Sequence, residues 1–286
     1  MEWQAIALFV ALIRKNKERI KMSYLCLYAE YHFIPAIILL AVIHSKDKQK
    51  KEKKKGFLFA LFIAGAGISL LLLMVSWMIG SVIMKNPALS NNSTFRLTME
   101  MLSILIGEIV KFLVLKRITW KSRYFRYRYD AVIYATLISF GFSLFRNFTF
   151  SFGGYLSQQI LMLLPTEAFL VCVGVFQGWY YAKAKYNALD HKKLKGWDNM
   201  LPAILVPALH RGILQASLIG SENLVKNMSS DIPAGDNAAK GVACGIALML
   251  IPVMIAIVIY VLIVCIKSFK IVTEESAEKR LIIAQE

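Results

Sequence analysis

Acidic residues are scarce in this 286-residue chain: 18 Asp and Glu stand against 34 Lys and Arg, a formal net charge of +16 at pH 7. So basic a balance would suit a nucleic-acid binder. The cations, however, sit in short runs between apolar stretches, and no soluble stretch is left to carry such a partner, so nucleic acid is not expected. Cysteine is scarce too. Cys26, Cys172, Cys244 and Cys265 all fall in apolar segments without Cys-x-x-Cys spacing, which argues against a disulfide framework or a zinc-thiolate site and reads as small buried hydrophobes. No helix carries His-x-x-x-His or Glu-x-x-His. Trp3 to Ile13 is apolar but lacks a small-residue cleavage site and runs into basic residues, so a cleavable signal peptide is not expected either.

What is abundant is apolar sequence, 57% of the residues, with a mean hydropathy of +0.55. Seven runs long enough to cross a ~30 Å hydrocarbon core fall at 24–44, 56–84, 97–118, 129–150, 156–182, 199–220 and 240–266. Backbone groups in lipid must be satisfied within their own segment, so these runs are expected to be helices. The fold class is therefore an all-α polytopic membrane protein with about seven transmembrane helices. Residues 1–22 form a basic, amphipathic N-terminal segment, 23–270 the membrane domain and 271–286 a tail. Two other readings of 1–22 are a short extra span or a true start at Met22.

Loop charge orients the bundle. The loops after spans 1, 3 and 5, with the tail, hold twenty-two Lys and Arg, and the alternate loops hold four. The positive-inside rule then makes the first set cytoplasmic and the protein N-out/C-in, with the lipid bilayer as its first partner. The basic run Arg14–Lys21 lands on the wrong side, a conflict that vanishes if Met22 is the start. The lysine run 46–55 sets orientation and is a patch that anionic lipid would also suit.

Charges inside apolar runs carry the chemistry. Glu108 and Lys111 lie one turn apart within the third run, and Arg146, Glu167 and Arg211 lie in later ones, Arg211 directly after His210. Each alone in lipid costs at least ~2.5–3.5 kcal/mol, so they are expected to converge and neutralise one another away from lipid. Asp130, Tyr134, Ile138, Phe142 and Arg146 recur every four residues, a stripe facing the bundle interior. His210 and Arg211 point roughly 100° apart, so only one of them looks straight into a shared cavity. Glu108, Glu167 and His210 are the weak candidates for a metal. No cofactor is expected, with a divalent ion such as zinc as the alternative. Ion pairs that only brace the packing are the competing account of all these charges.

In order and spacing these residues resemble the PrsW-type intramembrane proteases. The resemblance runs from about Pro35 to Gln215 and is clearest in Tyr129-Asp130 to Tyr134, Phe140-Gly141-Phe142 to Asn147, Leu163-Leu164-Pro165, Gly174-x-x-x-Gly178, and Val206-Pro207 to Gly212. It implies a multi-pass protein of the bacterial plasma membrane that hydrolyses peptide bonds in or near the membrane. It also implies a single-span partner such as an anti-sigma factor. The site residues it implies are Glu108 as general base with Lys111 and His210. The chemical positions depart from the pattern, however. The first glutamate of Glu-Glu-x-x-Lys is Gly107, and the glutamate of Phe-x-x-x-Glu is Arg146. The histidine expected before Gly174 is Leu170, with Glu167 close by as a replacement carboxylate. In His-Gly-x-x-Asp, His210 matches only with a one-residue shift, and the aspartate falls on Gln215. Two functions remain open: an endopeptidase rebuilt around altered residues, or a non-catalytic membrane binding protein on the same fold.

Overall fold

The structure is a computed structural model, described here for residues 34, 36–46, 55–83, 85–86, 92–150, 166–189, 200–230 and 236–277. Among them are seven helices and no β-strand. They are α1 (Ala36–Ser45), α2 (Lys55–Ile83), α3 (Ser93–Thr119), α4 (Arg128–Phe150), α5 (Thr166–Leu189), α6 (Met200–Ser230) and α7 (Asp236–Ala277). Two stretches, Lys55–Ser81 in α2 and Ile255–Ser276 in α7, are long and apolar enough to cross a membrane by length and composition. The expected runs 24–44 and 156–182 each lie partly outside the described residues, as do Cys26 and residues 1–22. The last two helices outrun their apolar stretches. α7 has 42 residues, about 63 Å at 1.5 Å per residue, twice what a bilayer core requires.

α4 is the centre of the bundle. Tyr129, the whole stretch Ala131–Thr136, Ile138 and Phe142 are buried, so the helix has no free face there. α5 packs along one side and α2 along the other. The close approach depends on glycines. A methyl at Gly65 of α2 would run into the carbonyl of Ile138, and one at Gly141 of α4 into the carbonyl of Phe62. On the opposite side a methyl at Gly174 would sit 2.6 Å from Ser139 Oγ, and one at Gly178 2.6 Å from the Ala131 carbonyl oxygen. Gly174-x-x-x-Gly178 is thus the face that lets α5 lie directly on α4, the close contact that small-xxx-small spacing permits.

The end near residue 125 is fastened by polar contacts. Asp130 Oδ2 accepts from the amides of Arg126 and Tyr127 at 2.9 and 2.8 Å, which fixes the turn into α4. Tyr134 donates to the Tyr124 carbonyl, and Tyr129 to the Ile43 carbonyl of α1, both at 2.6 Å. Buried Glu275 of α7 pairs with Arg128 at 3.1 Å and accepts from Trp179 Nε1 at 2.9 Å. α3 starts at a capped end, with Asn92 accepting from the Phe95 amide, and ends on Lys116 and Arg117, which suit the negative pole of its dipole.

Candidate functional site

Three of the charges expected to converge, Glu108, Lys111 and Arg211, meet around Glu108. Its side chain is fully buried, and each carboxylate oxygen meets a cation. Lys111, one turn along α3, places Nζ 2.8 Å from Oε2. Arg211 crosses from α6 and places Nη1 2.5 Å from Oε1. Both cations also lie over the Phe142 ring of α4, 5.1 and 5.2 Å from its centroid, where the ring's negative face adds to their stabilisation. Gln177 of α5, also fully buried, points Nε2 at Glu108 Oε2 from 3.5 Å, a long contact. Its Oε1 has no hydrogen-bond partner among the described residues.

Gly107 borders the same cluster. A Cβ there would lie 3.5 Å from the Phe142 ring, 3.6 Å from Leu72 and 3.8 Å from Arg211 Nη1, all ordinary contacts. Position 107, the first glutamate of the family pattern, therefore opens onto Arg211. Pro207 lies one turn before Arg211 inside α6. Its ring removes one backbone donor from the helix at that turn.

His210 takes the other direction. Its Nδ1 is 2.8 Å from the Tyr260 hydroxyl of α7, and its ring lies 5.0 Å from that of Phe176. Of the adjacent pair, Arg211 is the one that meets Glu108. The register agrees: counted from Gly212, the position before the glycine of His-Gly-x-x-Asp is Arg211. The side chains of Arg146 and Glu167 are outside the described residues. Their backbones belong to α4 and α5, and the antiparallel register set by Gly174 against Ser139 carries position 146 to the level of position 167.

Gln177 went unmarked in the sequence. A neutral amide in an otherwise apolar run is the one signal it gives, and no motif contains it. Tyr260, the partner of His210, sits 50 residues further along the chain, beyond the reach of any local pattern.

A helical bundle of membrane type with a carboxylate and two cations sealed in its interior defines the class. The particular family follows from comparison. A family model described as PrsW family intramembrane metalloprotease matches residues 53–213, more than half of the chain. The chain belongs to the PrsW family. It is 25% identical over 186 residues to the protease PrsW of Oceanobacillus iheyensis, covering 65% of this chain and 80% of that protein. With the protease PrsW of Bacillus subtilis the identity is 24% over 195 residues, 68% of this chain and 84% of the relative. No solved structure matches.

The family description names a metal, and the described cluster does not suit one. A divalent ion needs several converging lone pairs. Here one carboxylate is held between an ammonium and a guanidinium, which would repel a cation, and His210 Nδ1 is engaged with Tyr260. Among the described residues no three His, Cys, Asp or Glu side chains come together. Glu167, the third ligand weighed from the sequence, has no described side chain.

Proposed function

We propose that this chain is a PrsW-family membrane protein that keeps the bundle without the hydrolysis and binds a single-span membrane partner, of the kind an anti-sigma factor represents. The observation that carries this reading is the state of Glu108. A general base must reach a water and the scissile carbonyl. Glu108 is sealed from solvent, with one oxygen held by Lys111 and the other by Arg211. Gly107, Arg146 and Gln215 at three motif positions support the same conclusion, because none is a carboxylate. An arginine, charged at any attainable pH, cannot serve as a base in their place.

Seven spans in the plasma membrane, N-out and C-in, complete the proposal, supported by the loop charges. Single cysteines at Lys51 and Asn92 are expected to label from opposite sides of the membrane. Labelling from the same side would end that topology.

The function is tested with the purified chain in liposomes and a single-span peptide labelled at both ends. The expected result is binding without cleavage, with wild type and Glu108→Gln indistinguishable in cleavage. Cleavage by wild type that Glu108→Gln abolishes would establish the endopeptidase instead.

A further inference from the structure

Two of the four cysteines meet. Cys172 is buried on α5 and Cys265 half-buried on α7, both as free thiols. Cys172 Sγ donates to Cys265 Sγ at 3.4 Å. The juxtaposition is held by more than the sulfurs. One turn beyond Cys265, the buried Ser268 hydroxyl lies 3.0 Å from the Cys172 carbonyl oxygen and 2.9 Å from that of Val264 in its own helix, sharing one proton between them, so a polar contact joins α7 to α5 at this level. Further along the same pair of helices, Trp179 donates to Glu275.

We propose that Cys172 and Cys265 are a reversible modification site, closing to a disulfide that cross-links α5 to α7 when the membrane holds a lipid-soluble hydroperoxide. Cys265 is the sulfur that such an oxidant reaches. It lies midway along the apolar stretch Ile255–Ser276, beside the exposed Leu262, Ile263 and Ile266. Cys172 behind it has no exposure. In the first step the Cys265 sulfur attacks the terminal peroxide oxygen. The O–O bond breaks, the alcohol leaves with one proton, and Cys265 becomes a sulfenic acid. In the second step the Cys172 sulfur displaces that hydroxyl, its own thiol proton leaves with it as water, and the S–S bond forms. Two thiols and one hydroperoxide become one disulfide, one alcohol and one water; the sulfurs lose the two electrons that the peroxide bond gains. The sulfurs need to close from 3.4 Å to about 2.0 Å.

The consequence is mechanical. α7 meets α6 through the Tyr260 hydroxyl on His210, the residue next to Arg211. A covalent tie between α5 and α7 therefore fixes the helix that flanks the charged cluster. This holds whether or not the chain hydrolyses peptides.

The full-length protein in detergent is treated with cumene hydroperoxide, denatured, alkylated with a maleimide and weighed intact. The expected result is two fewer maleimide adducts than in the untreated protein, and a mass before alkylation lower by about 2 Da. Peptide mapping should link Cys172 to Cys265, and dithiothreitol should restore both adducts. The Cys26→Ser/Cys244→Ser double variant should behave like wild type. Cys172→Ser should stop at a sulfenic acid on Cys265 that dimedone traps. An unchanged adduct count in wild type, or a link to Cys26, to Cys244 or to a second molecule, would overturn the proposal. The wild-type mapping decides the matter even if a serine variant fails to fold.

Discussion

The two sides of α4 are built on different principles. Towards α2 and α5 the contact is made by absence: Gly65, Gly141, Gly174 and Gly178 let backbones touch, and the surrounding side chains of α4 are buried. Towards α3 and α6 the contact is made by charge, with Phe142 roofing Lys111 and Arg211 around Glu108. Gly141, Gly174 and Gly178 on the first side stand in the segments that carry the family resemblance. The second carries the altered chemical positions. The glycine contacts are thus independent of the altered positions, whereas the charged contact includes one of them, Arg211.

Each side of that comparison can be broken separately. The largest effect is expected at the charged side. Glu108→Gln leaves two buried cations without their anion and should cost about 3–5 kcal/mol, read as a drop in the thermal midpoint in detergent. Glu108→Asp keeps the charge and should lose less. On the glycine side, Gly141→Ala presses a methyl into the Phe62 carbonyl. The helices must separate, at a cost of about 1–3 kcal/mol. A neutral Gly141→Ala would show that α2 and α4 are not in the contact described.

A smaller effect tests the α4–α5 contact at the level of residue 146. If Arg146 is held by Glu167 across the α4–α5 register, the Arg146→Ala and Glu167→Gln changes should couple by on the order of 1 kcal/mol. Arg146 should not couple to Glu108, whose oxygens are already occupied. The reverse pattern would place Arg146 in the central cluster.

The smallest effect is a pH dependence. Burial holds the Lys185 ammonium down to about 8, against the pull of Asp130. The folded state therefore binds fewer protons than the unfolded chain, whose lysine titrates near ~10.4. Stability should rise as pH climbs from about 8 towards 10, and this contribution is absent below 8. Lys185→Met should flatten the rise in a pH series of thermal midpoints.

Much of this arrangement was legible in the sequence, for identifiable reasons. Apolar runs bounded by lysines and arginines fixed helix starts to within a residue at Lys55, Arg128 and Met200. The ends of α2, α3 and α4 also fall within a residue of the apolar runs, whereas α5, α6 and α7 outrun theirs. α6 continues to Ser230 through Ser221-Glu222-Asn223, because hydropathy marks what lipid tolerates and not where backbone hydrogen bonding stops. The Glu108–Lys111 contact follows from i, i+3 spacing alone. The choice between His210 and Arg211 does not, since two residues 100° apart are ranked only by where α3 and α7 lie around α6. Cys172 and Cys265 are 93 residues apart, and nothing local in either segment announces the other.

The central claim is that Glu108 is the anion of a structural ion cluster. A double-mutant cycle on thermal stability with Glu108→Gln and Arg211→Met tests it most directly. The claim requires that Glu108→Gln cost less when Arg211 is already gone, by about 1–3 kcal/mol. Additive losses, with Glu108→Gln equally costly in both backgrounds, would contradict it and return Glu108 to the role of an independent, chemically available carboxylate.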